Sequence, residues 1–177
     1  RDTNNSIMEK LATYMPMFIG GSADLGSSTK TYLSGFGDIK DKSYIGKNIW
    51  FGVREHAMGA ILNGLALVNF KPYGSTFLSF SDYLKPALRM TAQMNLPVTY
   101  IFTHDSISIG GDGPSHQPVE QLAMLRTTPN LIVLRPADIN EVIGSWDYIV
   151  NNKRPVAIVL SKDDAHILAG TSGEYVK

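Results

Sequence analysis

The sequence predicts a single α/β domain: a doubly wound, mainly parallel sheet with helices on both faces. Short apolar runs rich in β-branched and aromatic residues alternate with segments whose apolar residues recur at helical spacing, which is the order that builds βαβ units. The strand-like runs are continuously apolar rather than alternating, as strands buried on both faces are. Polar loops follow Ile19, Phe51 and Phe102. In such sheets ligands bind beyond the carboxyl ends of the strands, so these three loops are the first places to look for a site.

Ile7, Met8, Leu11 and Met15 repeat at helical spacing, and Pro16 ends that helix before a strand at residues 17–19. Residues 20–47 form a long polar connection, of a length that usually carries function. Asn48-Ile49-Trp50-Phe51 reads as a short buried strand, and residues 57–68 are helical in period. Lys71-Pro72-Tyr73-Gly74-Ser75 reads as a short strand and turn leading to a helix over residues 79–94. Val98-Thr99-Tyr100-Ile101-Phe102 is the next strand. After a loop at residues 103–117, a helix is expected over residues 118–126 with Pro118 in its first turn. A strand at residues 131–134, a helix at 139–150 and a strand at 156–160 complete the order.

A length of 177 residues suits one domain with a genuine core. The chain opens on Arg1 and enters a helical pattern at once, so it reads as a piece of a longer polypeptide. Sixteen Lys and Arg balance sixteen Asp and Glu, which leaves no basic field for nucleic acid or an anionic membrane. No apolar run approaches the ~20 residues of a membrane span, and the polar start lacks a signal-peptide core. Cysteine is absent, which excludes disulfides, thiolate nucleophiles and Cys-based zinc sites. That usage fits a reducing compartment, and the cytoplasm is the expected location.

Familiar site motifs fail. Gly35-Phe36-Gly37 and Gly111-Asp112-Gly113 lack the third glycine of a dinucleotide loop, and no phosphate loop, nucleophile elbow or His-x-x-x-His pair is present. Three other features remain. Glu55, in Gly52-Val53-Arg54-Glu55-His56-Ala57-Met58-Gly59, sits between a strand and a helix, where a carboxylate also complements the helix dipole. The loop from His104 to Gln117 gathers two imidazoles and two carboxylates among glycines, which suits a hydroxylated substrate and equally a solvated turn. Phe77, Phe80 and Tyr83 recur every three residues, as a core stripe or as a flat wall for a heteroaromatic ring.

Together these segments resemble the central, pyrimidine-binding domain of transketolase, a thiamin-diphosphate enzyme. The matching stretches are Gly20-Gly21-Ser22-Ala23-Asp24-Leu25, Val53-Arg54-Glu55-His56-Ala57-Met58, residues 77–83, residues 104–117 and Leu134-Arg135-Pro136-Ala137-Asp138. They run nearly end to end in the family's order. The resemblance implies a thiamin-diphosphate-binding fold of the pyrimidine type. It also implies transfer of a two-carbon ketol unit from a ketose phosphate to an aldose phosphate, a reaction of the pentose phosphate pathway. Glu55 would hydrogen-bond a ring nitrogen of the cofactor's aminopyrimidine, which then serves as its own base. Phe77, Phe80 and Tyr83 would form the pyrimidine pocket, with Asp24 near the cofactor.

On the same resemblance His116 joins Glu55 as a catalytic candidate. Asp112 and His116 match positions that contact donor hydroxyls, and His104 matches one nearer the substrate phosphate. Arg1 and Ser28 match phosphate-contacting positions. Lys162 stands where the family usually has a phosphate-binding Arg. It keeps the charge and loses the bidentate fork, and Asp163 and Asp164 beside it would weaken phosphate recognition further. The diphosphate and its divalent metal, Mg or Ca, would be held by a separate N-terminal domain, paired with this one across a homodimer interface. Residues 1–177 would then be one pyrimidine-binding domain lacking the diphosphate-binding and C-terminal domains, and inactive alone. No metal ligand is assigned here, because Asn151-Asn152 comes too late after Gly111-Asp112-Gly113 for a metal motif. Deoxyxylulose-phosphate synthase also carries a Glu and an Asp-Gly-Pro-x-His segment, but His104-Asp105-Ser106 and Gln117-Pro118-Val119-Glu120 favour transketolase. A catalytically inert dimerisation domain is the alternative from another class.

Overall fold

The computed structural model describes residues 1–173. Six parallel strands form one sheet: β1 (Phe18–Ser22), β2 (Asn48–Trp50), β3 (Lys71–Phe77), β4 (Thr99–Thr103), β5 (Ile132–Leu134) and β6 (Val156–Val159), in the order β2-β1-β3-β4-β6-β5. The helices are α1 (Asp2–Tyr14), α2 (Gly26–Thr29), α3 (Glu55–Leu67), α4 (Ser81–Gln93), α5 (Gln121–Arg126) and α6 (Ile139–Asn151). The doubly wound class is as the sequence predicts.

Alternation along each central strand divides the core in two. Tyr100, Phe102, Ala157 and Val159 face one layer, where they pack with Met58 and Leu62 of α3, Leu84 and Leu88 of α4 and Leu125 of α5. Ile101, Val156 and Ile158 face the other, with Met8 of α1 and Trp146 and Ile149 of α6. Burial on both faces thus holds for the middle of the sheet. At the edge it fails: Trp50 of β2 is 63% exposed, because β2 is the outermost strand and beyond it only a bridge from Asp38 to Asn48 is made.

The chain leaves β1 for β2 on one side and returns to β3 on the other. The loops beyond β1 and β3 therefore diverge and open a crevice at the carboxyl edge. Gly59 sets the spacing of α3 against α4, since a Cβ there would lie 2.6 Å from Leu84 Cδ1 and 2.7 Å from Ala87 Cβ. Buried hydrogen bonds fix the same pair: Thr91 donates to Asn63 Oδ1 at 2.6 Å, and the Asn63 amide donates to the Ala87 carbonyl at 3.2 Å.

Several local expectations are corrected. Pro72 and Gly74 mark no turn; they lie within the seven-residue strand β3. Pro72 is tolerated because pairing with β4 begins only at Tyr73, and Gly74 leaves room for α3, since a Cβ there would press on Leu62 Cδ1 at 2.4 Å and displace that side chain. Phe77, Phe80 and Tyr83 share no single helix: they sit at the end of β3, in the 3₁₀ turn Leu78–Phe80 and in α4. The helix expected from Pro118 begins at Gln121, whose side-chain oxygen accepts from the Val119 N–H at 2.9 Å. The connection after β1 contains the short helix α2.

Candidate active site

Glu55 is the first residue of α3, and it is only 6% exposed. The Thr76 hydroxyl donates to its Oε1 at 3.5 Å. Position at a helix start accounts for a carboxylate but not for burying one, since a buried charge costs free energy unless strongly paired. Thr76 precedes Phe77 in β3, so this bond ties the carboxylate to the strand end at which the wall of aromatic residues begins.

That wall is continuous across its three local structures. Phe77 and Phe80 stack at 5.7 Å between ring centroids, and Phe80 meets Tyr83 at 6.2 Å. His104 stacks on Phe77 at 3.7 Å, and His116 stands edge-on to Phe80 at 5.0 Å and to Phe77 at 6.0 Å. The hydroxyls of Ser79, in the 3₁₀ turn, and Ser81, at the start of α4, are buried without a hydrogen-bond partner. A flat apolar wall beside a buried carboxylate fits a heteroaromatic ring with a hydrogen-bonding edge.

His104 is buried and takes a left-handed backbone, φ +58°, which is costly for a non-glycine residue. Its Nδ1 lies 2.8 Å from the Thr103 hydroxyl. Burial pushes its pKa down to about 4, helped by the positive charges of Arg1 and Lys162 and opposed by Asp112. The imidazole is therefore neutral at pH 7. His116 stands edge-on to the same Phe77 ring on which His104 stacks. Arg1 donates to the Ser28 carbonyl at 2.7 Å, which brings these two residues together through the Ser28 backbone. Ser115 Oγ lies 2.8 Å from His116 Nδ1.

Lys162 points at the loop beyond β4, donating to Asp112 Oδ2 at 3.3 Å and to the Ile109 carbonyl at 3.4 Å. Arg135, beyond β5, grips Asp105 through Nε at 3.1 Å and a terminal nitrogen at 2.8 Å. Sequence reasoning assigned that pair no role; thirty residues of separation leave no local signal, and only the strand order brings them together. Asp24 follows by two residues the end of β1, the strand that pairs with β3 through Ser22 and Ser75. It is exposed at φ +64° on a cavity of about 350 Å³ beyond β1 and β2, lined also by Tyr32 and Trp50. Among the described residues, no cluster of three or more His, Asp or Glu side chains is arranged to hold a metal ion. No helix among them is long and apolar enough to cross a membrane.

Comparison with known proteins identifies a family. The model for the transketolase pyrimidine-binding domain matches residues 1–166. The transketolase of Bacillus subtilis is 51% identical over 176 residues, which cover 98% of this chain and 26% of that protein. The crystal structure of a Campylobacter jejuni transketolase superposes with a TM-score of 0.87 at 49% identity, covering 92% of this chain and 25% of that one. A Pichia stipitis transketolase in complex with sedoheptulose 7-phosphate superposes at 0.94 and 40% identity, covering 99% and 27%. The chain spans about a quarter of the length of these relatives.

Proposed function

The chain belongs to the transketolase pyrimidine-binding domain family, and we propose that it supplies the pyrimidine half of a thiamin-diphosphate site in a longer enzyme. That enzyme moves a two-carbon ketol unit from a ketose phosphate to an aldose phosphate. The observation that carries this reading is the buried Glu55 carboxylate bonded to Thr76 at the end of β3, where Phe77 and Phe80 stack with His104 and His116 packed on the same rings.

Thiamin diphosphate, when bound, supplies the electron sink for breaking a carbon–carbon bond next to a carbonyl. This chain's residues do the rest of the work on its side. Glu55 holds a proton at a pyrimidine ring nitrogen, and Phe77, Phe80 and Tyr83 orient the ring and exclude water. Asp24 borders the cofactor from the β1 side. His116 and Asp112 bind donor hydroxyls close to the reacting carbons and limit the poses the donor can take. Arg1, Ser28 and His104 form the phosphate end, with Lys162 at its edge. The diphosphate and a Mg or Ca ion are held by another domain, residues 1–177 are one domain of the longer chain, and the site closes between the subunits of a homodimer. A cytoplasmic enzyme of the pentose phosphate pathway fits these assignments.

The test compares the intact enzyme with the 177-residue domain. The intact enzyme should transfer two carbons from xylulose 5-phosphate to ribose 5-phosphate, and the domain alone should not, with only weak binding of thiamin diphosphate. Turnover by the isolated domain would refute the half-site. Turnover by the intact enzyme of pyruvate with glyceraldehyde 3-phosphate instead would point to the deoxyxylulose-phosphate synthase reaction.

A further inference from the structure

Lys162 lies just beyond β6 and reaches across to the loop after β4, the strand beside it. Its two acceptors, the Ile109 carbonyl and Asp112 Oδ2, flank Gly110. Gly110 has φ +61° and ψ −95° and kinks the turn Ile107–Asp112. One ammonium therefore grips the loop on both sides of its least regular point. No other atom lies within 4 Å of where a Cβ would stand at Gly110, so packing at that position does not hold the kink.

This geometry leaves Lys162 little to offer an anion. An ammonium has three N–H donors, and two are directed at the loop. The carboxylate it faces is the one placed to meet a donor hydroxyl, and Asp163 and Asp164 follow it in the chain, both exposed. A phosphate arriving here meets a charge already paired and two further carboxylates close by. An Asp112 without its partner would be a mobile side chain on a glycine-rich loop.

Building on the proposed function, we infer that Lys162 is a positioning residue. It acts on the donor through Asp112, by fixing that carboxylate and the turn carrying it, and does not itself read the phosphate. The site then selects ketose donors by their hydroxyls and separates phosphorylated from unphosphorylated ones only through Arg1, Ser28 and His104.

Steady-state kinetics of the intact enzyme with xylulose 5-phosphate and with xylulose, which carries the same hydroxyls, test this. Lys162→Met should raise KM for both donors by the same factor, roughly two- to five-fold for an ion pair exposed by about a third. In an Asp112→Asn background the same substitution should have a smaller effect, since only the bond to the Ile109 carbonyl then remains to be lost. Lys162→Gln, which keeps a hydrogen-bond donor, reads the same ratio if the Met variant does not accumulate. A rise in KM confined to the phosphorylated donor, or an undiminished Lys162 effect without Asp112, would overturn the inference while leaving the transketolase reading intact. A wild-type enzyme inert towards both donors would remove that reading, and the inference with it.

Discussion

His104 lies face to face with Phe77, ring centroids 3.7 Å apart and planes inclined by 26°. The residue assigned to the substrate end thus rests directly on one assigned to the cofactor end. The two halves of the proposed site share one wall, and a change in either ring is felt by both.

The buried, stacked His104 has a pH signature. Its folded pKa, about 4, lies below the ordinary 6.5, so the native state resists a proton that the unfolded chain accepts. Its full contribution to stability is present above pH 6.5 and is lost as the pH falls towards 4. The loss between pH 7 and pH 5 is about 2 kcal/mol. Urea unfolding at these two pH values should show this component in the wild type and lack it in His104→Asn.

Glu55→Gln preserves size and leaves an oxygen for the Thr76 hydroxyl, so the fold should survive. In the intact enzyme it should slow hydrogen–deuterium exchange at the reacting carbon of thiamin diphosphate, by ~10²–10⁴ as for other acid–base groups. Exchange at the wild-type rate would remove Glu55 from its role.

His116→Ala removes an imidazole that touches Phe77 and Phe80 only edge-on. Donor KM and turnover should suffer more than cofactor affinity, because the proposed partner is a sugar hydroxyl. A loss of cofactor affinity with unchanged donor KM would reassign this part of the loop.

Asp138 caps α6 by accepting from the Glu141 N–H at 3.1 Å, and it also accepts from the Leu168 N–H at 2.9 Å and from the Thr171 hydroxyl. Asp138→Ala should cost about 1–2 kcal/mol in thermal or urea unfolding. It should also make residues 163–173 the first site of limited proteolysis, since these bonds tie that segment to the fold. Unchanged cleavage there would show that other contacts hold it.

The α/β class is legible in the chain alone, because apolar period and run length are local properties that burial on both sheet faces imposes. Glu55 and the loop from His104 to Gln117 are legible there too, since their residue types stand out against an otherwise ordinary chain. The tertiary structure decided what depends on neighbours. Pro72 and Gly74 look like turn residues until β1 and α3 are seen beside them, which is why residues 71–75 read as a short strand and turn although β3 runs on to Phe77. Phe77, Phe80 and Tyr83 form one wall across a strand, a 3₁₀ turn and a helix, and no single periodicity describes that. The Lys162–Asp112 and Arg135–Asp105 pairs arise because β6 inserts between β4 and β5. Strand order is chosen by the packing of the whole sheet, and no local spacing of residues encodes it.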